Sequence, residues 1–583
     1  MTEKQKTVSQ DQLRFNRAVA AVLLPASLAL ATVVAWSISP ANVPDFVSEF
    51  LYENLGERHY ISPPRSQTAM NMTPEAFCAD TRPEWRRAQT IELVEIVEQR
   101  VCDPDNPYEV AAFVKGTNNI SEETLEKTGL ARDTVIKGRD LDGDGDPDEI
   151  HIRIEVTELN GRNPDLVDKL PQFHVAPGVS PGIWAFTPKA RGMATKDFET
   201  TEAAPLLRLP APSIRVEQGD VVKVTLENTH YLPHTIHMHG VDHPFQDANG
   251  EGNDGVPMIS EISVVPGQSR TYEIKPRQTG TMLYHCHVHT HIHLLMGLIG
   301  MFIVEENQPN NWLQTFNVGA GLVRHPSVAL RKNYDREYDL QYADMDIKMH
   351  DAIKVSNDPR VISRAIHREY DISSRKPQIF LLNGRSFPYT LRESLVVIKE
   401  DEKVKLRVAN AGSEPLSLHT HGHKVKVTHR DGIELPKEGQ TYHDVVLFGA
   451  AQRMDLELYG KNDGLHNYGP GVWLMHDHKE QGVTTFGIGP GGDISLIVYE
   501  DFLDEKGTPK IAGDLSMFFM KEYYEGKIPV FGNLLPGGLL AEAVQERSTI
   551  WILFLRGLLA VLLGVAAATA IFIVRGAVGL ARE

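Results

Sequence analysis

The 583-residue sequence predicts a mainly β protein built around two β-sandwiches, and three observations carry that prediction. First, the chain contains an internal repeat. "SIRVEQGDVVKVTLENTHYLPHTIHMHG" from Ser213 and "SLVVIKEDEKVKLRVANAGSEPLSLHTHG" from Ser394 each read as an alternating strand, an acidic turn, a second alternating strand and an H-x-H-G. Second, the copies close alike, with "GTMLYHCHVHTHIHLLMGLIGMFIVEE" in one and "GVWLMHDHKEQGVTTFGIGPGGDISLIVYED" in the other. Third, period-2 alternation punctuated by Gly, Pro and Asn predicts antiparallel strands stacked as paired sheets. The sandwiches are placed at residues 178–306 and 335–503, joined by a linker over 307–334.

The flanks differ in kind. From Ala18 to Ile38 the chain reads "AVAAVLLPASLALATVVAWSI" behind Lys4, Lys6, Arg14 and Arg17, and "GLLAVLLGVAAATAIFIV" from Gly557 to Val574 precedes Arg575 and Arg582. Both are long enough to cross a bilayer core of about 30 Å. Segments 1–40 and 549–583 are therefore expected to be transmembrane helices, with a cleaved signal peptide as the competing reading of the first. Basic flanks place both termini in the cytoplasm and the bulk of the chain in a periplasm-like compartment, anchored in the inner membrane. Residues 504–548 form an extension before the second helix.

Residues 41–177 lie outside the repeat and are expected to form an α+β extension. In "DLDGDGDPDEIHIRIEV", Asp140, Asp142, Asp144 and Asp148 occupy the first, third, fifth and ninth positions of a calcium loop, with Gly145 at its sharp turn. His151 stands where an EF-hand has Glu, so the loop is more similar to the acidic loops that lead into a strand in integrin-type repeats. Structural calcium is the expectation, a solvated acidic turn the alternative.

A composition of 42% hydrophobic and 23% charged residues is that of a folded globular chain, and a net charge of -18 argues against nucleic acid as a partner. Of three cysteines, Cys78 and Cys102 are expected to pair in an oxidising compartment, worth about 3 kcal/mol. One continuous helix between them would forbid the bridge, whereas the β-branched "TIELVEIV" reads equally as a strand, which allows it.

The third cysteine sits among histidines. "YHCHVHTHIHLLMGLIGMF" from Tyr284 places His285, His287, His289, His291 and His293 at alternate positions with Cys286 between the first two. An H-x-H on a strand points both imidazoles to one face. Four such pairs occur at equivalent places in the duplication: His237/His239, His285/His287, His419/His421 and His476/His478. Cys286 faces the other way, so one short backbone touches two metal environments. A thiolate with two histidines is the blue-copper arrangement, for which His234 and a histidine shortly after Cys286 are the candidates. Structural zinc favours C-x-x-C pairs, which this chain lacks.

"HTIHMHG", "NDGVPM", "YHCHV" and "HLLMGLIGMF" in the first sandwich, with "HTHGH" and "HDH" in the second, resemble the multicopper oxidases. Within that family the chain looks like the two-domain type with its blue-copper site in the first domain. Leu416 stands where the first repeat has His234, and Asp477 where it has Cys286, so the second domain lacks that site. The resemblance implies two cupredoxin-like Greek-key domains. It implies type 1 copper on His234, Cys286 and His293, and a type 2/type 3 trinuclear cluster on the eight paired histidines, about four coppers per chain. His293 is preferred to His291 because His293, Gly297 and Leu298 keep the family's H-x-x-x-G-[M/L] spacing. His291 would instead offer Met296 as the axial group. Asp254 matches the family's acidic residue near the cluster and is expected to relay protons, a turn-forming role being the alternative. His289, His291, His243 and His423 are left as outer-shell donors, part of a metal-substrate port, or loop imidazoles.

The implied function is a membrane-anchored oxidase. A donor (a metal ion, a small molecule or a redox protein) reduces the type 1 copper, electrons pass through Cys286 to its flanking histidines, and the cluster reduces dioxygen to water. A homotrimer with clusters between subunits is also implied. Two alternatives stand beside it. A copper nitrite reductase shares the two-domain plan but needs only three histidines at its catalytic copper. A copper-binding structural subunit of a membrane assembly would use Gly557 and Gly564 for close helix packing. The fifteen methionines form no Met-rich segment, which weakens a cuprous-ion donor.

Overall fold

Along the strand Glu149–Leu159, Ile150, Ile152, Ile154 and Val156 are buried while the residues between them stay half-exposed. That alternation makes it the long strand of one sheet in the first sandwich, flanked by Val135–Lys137, Ile183–Pro188 and Val221–Glu227, with Ser269–Ile274 beyond. The facing sheet runs in the order Phe316–Asn317, Ser213–Glu217, Ile299–Glu305, Gly280–His285, His237–His239. Two strands of this sandwich, Val135–Lys137 and Glu149–Leu159, precede residue 178.

The second sandwich repeats the plan with an eight-stranded sheet, including Arg336–Met345, Lys403–Asn410 and Arg453–Tyr459, over a five-stranded one. The latter runs Val396–Ile398, Ser495–Tyr499, Val472–Asp477, Leu416–Thr420, Val445–Phe448. The architecture is the mainly β, cupredoxin-like one expected, with one difference: the sheets are mixed, not wholly antiparallel. Glu149–Leu159 runs parallel to Val221–Glu227, Ser213–Glu217 to Ile299–Glu305, Arg336–Met345 to Lys403–Asn410, and Val396–Ile398 to Ser495–Tyr499. The reason is connectivity, since crossovers between the layers bring strands distant in sequence side by side in the same direction.

Two features lock the sandwiches together. Arg407, fully buried, binds Glu305 (2.8 Å) and Thr281 (3.1 Å) of the first sandwich and Asp455 (3.1 Å) and Glu337 of the second. An insertion of short helices then follows Arg336–Met345: Ile347–His350, Asp351–Lys354, Pro359–Arg364 and a single π-turn, Ala365–Glu369. Its Met349, Ile353, Ile362 and Ile366 are buried in the core of the first sandwich, in the same cluster as Cys286 and Met296.

The structure describes residues 10–38, 83–101, 106–161, 172–192, 205–241, 243–505, 507–511, 515–525, 554 and 557–571; Cys78, Cys102 and their expected disulfide lie outside them. The sandwiches belong to a unit spanning Met70–Tyr524, and the terminal segments form a second unit. That second unit contains the helix Gln10–Ile38, with Pro25 inside it, and helical residues 557–571. Among the described residues no helix is long and apolar enough to cross a membrane, so the two expected spans are not supported by the structure.

Candidate metal centre

The strand Gly280–His285 ends where the chemistry begins. Its register sets His285 against His237 and Tyr284 against Met238. Period-2 geometry then sends His285 to one side of the sheet and Cys286 into the core. Behind it, His234 is pinned by backbone hydrogen bonds in both directions with Val264 (3.0 and 2.9 Å), and His293 lies in the helical turn Thr290–His293. The result is a buried trio: Cys286 Sγ is 3.6 Å from His234 Nδ1 and 3.5 Å from His293 Nδ1, and all three side chains are fully inaccessible. His291 is exposed and does not join them. Leu298, also buried, accepts the Cys286 amide on its carbonyl at 3.0 Å.

The trio fits a copper ion. Burial holds both imidazoles well below their ordinary range, which keeps their lone pairs free for a metal. Burial also pushes the Cys286 thiol up to about 12. The two imidazoles beside it are held neutral by burial and do not offset that, so a cation between Sγ and the two Nδ1 atoms is what would make it a thiolate. Both ligand rings are in turn held at their outward nitrogens by other histidines. His234 Nε2 lies 2.8 Å from His230 Nδ1, and His293 Nε2 lies 3.1 Å from His367 Nε2. The fully buried Trp184 stands edge-on to His230, His234 and His293, and its indole N–H donates to Glu158 at 2.9 Å.

The paired histidines form two separate sets. His237, His239 and His285 converge in the first sandwich, with His287 beside His237; His419, His421 and His476 converge in the second, with His478 beside His419. Among the described residues no imidazole of one set contacts one of the other. The sets share their hydrogen bonding. His285 Nδ1 donates to the carbonyl of Cys286 (2.9 Å) as His476 Nδ1 does to that of Asp477 (2.8 Å). His237 Nδ1 donates to the carbonyl of Asp254 (2.7 Å) as His419 Nδ1 does to that of Asp444 (2.8 Å). An imidazole whose Nδ1–H is committed to a carbonyl presents Nε2 as a ligand. Burial lowers His285 to about 3 and His239 to about 4, so both stay neutral.

Asp254 sits beside the first set: its Oδ1 is 2.9 Å from His243 Nε2 and 3.3 Å from His237 Nδ1. His243 is therefore a partner of Asp254, not a loose loop imidazole. His423 has a structural place, bonded to Tyr499 Oη (2.9 Å) and to the His421 carbonyl (3.0 Å) inside the second core. His289 is exposed and stacks on His367 with ring centres 4.1 Å apart.

Of the acidic loop, Asp140, Asp142 and Asp148 converge and Asp144 does not join them. The loop's own amides already take much of their bonding capacity: Gly145 N–H donates to Asp140 (3.0 Å) and Asp142 N–H to Asp148 (3.2 Å).

Sequence reasoning missed His230, His367, Glu158 and Asp444. Asp444 had a signal, since it is the counterpart of Asp254 in the second repeat. His367 had none, lying 74 residues from the ligand it meets and outside the repeat.

Two stretches match the multicopper oxidase family, residues 207–309 and 361–485. An iron transport multicopper oxidase of Gibberella zeae is 26% identical over 373 residues, which is 57% of this chain and 53% of that one. Copper resistance protein A of Pseudomonas syringae pv. tomato is 32% identical over 101 residues, covering 17% of this chain and 15% of that protein. The chain thus spans about half the length, or less, of these curated relatives. Among solved structures, the multicopper oxidase mgLAC is 26% identical with a TM-score of 0.45, covering 64% of this chain and 95% of that one. A blue copper oxidase from Nitrosomonas europaea is 25% identical with a TM-score of 0.45, covering 64% and 94%. The two family matches fall on the two sandwiches that carry the histidine sets, so the chain carries two multicopper oxidase domains, and that family is one of oxidoreductases.

Proposed function

We propose that the protein is an oxidase that takes single electrons from a donor at the Cys286 site and delivers them, four at a time, to dioxygen at a cluster made of two four-histidine halves. The observation that carries this reading is the matched pair of histidine sets, each with Nδ1 committed to a carbonyl and Nε2 presented outward. Bound copper, about four ions per chain, would supply the reversible one-electron chemistry. The protein's part is position. His234, Cys286 and His293, all buried, would hold one ion, and the His285-Cys286-His287 backbone would be the covalent path from it to the paired histidines. Reducing dioxygen to water consumes protons as well as electrons, and Asp254, bonded to His243, is placed to deliver them.

Among the described residues the two sets do not contact each other, which supports assembly in a head-to-tail ring, a homotrimer in our reading. Two exposed apolar patches support it further. Met258, Ile259 and Ile262 follow Asp254 in the chain, and Leu447 lies on the strand paired with that of His419. Attachment to the inner membrane, with the sandwiches facing the periplasm, rests on the apolar and basic pattern of the termini. Calcium at Asp140, Asp142 and Asp148 is a further part of the reading.

Copper analysis with visible and EPR spectra tests it, on wild type and Cys286→Ser. About four coppers per chain are expected, with a blue band lost in the variant and the other signals kept. About two, one of them blue, would sink the eight-histidine cluster.

A further inference from the structure

The two histidine ligands of the Cys286 site turn Nδ1 toward the sulfur, so with a metal in place each must carry its proton on Nε2 and donate it outward. For His234 the acceptor is His230 Nδ1, deep in the core beneath Trp184. For His293 the acceptor is His367 Nε2 at 3.1 Å, on the insertion contributed by the second sandwich. With Nε2 accepting from His293, the proton of a neutral His367 is on Nδ1, which lies 3.2 Å from Ser363 Oγ, an oxygen able to accept it. The helices around it are anchored by Ile362 and Ile366, both buried in the first core, so this ring is held firmly over the site.

The consequence concerns access. His293 is fully buried, and the residue on its outward edge is His367, itself half-buried and stacked on the exposed His289. A donor in solution therefore meets His367 and His289 before it can meet a ligand.

We propose that His367 is the positioning residue of the Cys286 site and the port through which a donor's electron reaches it: it accepts the His293 Nε2–H, making that ligand more electron-rich, and covers its edge. No net bond changes in this step; one electron moves from the donor to the metal site, through the His367 and His293 rings. The inference rests on the copper reading above.

The test uses copper-loaded full-length protein and compares wild type with His367→Phe, which keeps a ring but no acceptor, and His367→Gln, whose carbonyl oxygen can accept the same N–H. Reduction potential is read from a redox titration of the blue band, and electron delivery from stopped-flow bleaching of that band by hexacyanoferrate(II). The Phe variant is expected to have a raised potential and to bleach about tenfold more slowly in spite of it. The Gln variant is expected to return to the wild-type potential. A copper-loaded Phe variant with wild-type potential, or with wild-type bleaching, overturns the proposal. Should that variant not take up copper, 15N-histidine NMR of the cuprous wild type decides: a His293 Nε2–H protected from exchange supports the bond, a rapidly exchanging one overturns it. Absence of any blue band in wild type would instead overturn the copper reading itself.

Discussion

The Nε2 atoms of His285 and His239 face each other 3.0 Å apart, and those of His421 and His476 do the same at 3.3 Å. Because His285 and His476 each spend Nδ1–H on a carbonyl, the facing nitrogens present lone pairs to a point that a metal would occupy. In the proposed reading each set is half of a cluster, and association of subunits would complete it. Leu447→Lys puts a charge into the exposed patch of the second sandwich, where Leu447 is 62% accessible. The variant is expected to sediment as a monomer with about one copper per chain and an intact blue band. An oligomer of unchanged mass, or a monomer that keeps the full complement, would count against assembly at this surface.

Asp254 offers a separate test. Its carboxylate bonds His243 at 2.9 Å, and His243 also bonds the Val241 carbonyl at 3.0 Å, leaving the ring between two acceptors. Asp254→Asn keeps the shape and removes the base. We expect wild-type copper spectra and oxygen uptake slower by about 10²-fold, the lower end of what a positioned proton-transfer group contributes. Unchanged uptake at saturating donor would leave Asp254 with the role of a turn residue only.

The mainly β fold and the convergence of the clustered histidines with Cys286 were legible because both follow from short-range patterns. H-x-H on an alternating strand fixes which side chains share a face, and the duplication supplied the second set without any long-range information. The mixed sheets were not legible, since parallel pairing of Glu149–Leu159 with Val221–Glu227 joins strands from either side of a long intervening stretch. For the same reason the partners of the ligands were hidden. Glu158 and Trp184 reach the Cys286 site from strands outside the matched motifs, and His367 from a helical insertion whose apolar residues read as an ordinary helix face. Spacing distinguished His293 from His291; only packing could say what covers His293.

Gly255 links a turn to a ligand strand. Its φ is +74°, and a Cβ there would lie 1.9 Å from the carbonyl oxygen of Ile236, the residue before His237. Gly255→Ala must therefore displace the strand His237–His239 or the loop carrying Asp254, in addition to about 1 kcal/mol of left-handed backbone cost. Expected are a lower unfolding midpoint and loss of the coupled copper signals with the blue band retained. A variant with wild-type stability and spectra would mean that the loop moves freely away.

Arg407 is the charge on which the two sandwiches meet, compensating the buried Glu305, Glu337 and Asp455. Removing only the cation leaves those carboxylates undercompensated, although Lys405 stays within 3.2 Å of Asp455 and Arg215 within 3.6 Å of Glu337. Arg407→Met is expected to cost about 3–5 kcal/mol in urea unfolding. A loss below about 1 kcal/mol would mean that the acids take up protons and relax at little cost.

His350 ties the insertion to the first sandwich: its Nδ1–H donates to the Gly182 carbonyl at 2.6 Å, and its Nε2 is buried without a partner. Burial holds this imidazole down to about 4, against the pull of the carbonyl, whereas in the unfolded chain it titrates near 6.5. Above pH 6.5 both states are neutral and the group adds no pH dependence. Between pH 6.5 and about 4 the unfolded chain binds a proton that the folded chain refuses, so stability falls with pH, by about 3 kcal/mol at the acid end. His350→Asn keeps a donor for Gly182 and cannot titrate. Unfolding free energies of the two proteins should therefore differ most at pH 7.5, with wild type the more stable, and converge or cross as the pH approaches 4. A difference that stays constant across that range would show that the ring is solvated in solution and the insertion is not clamped there.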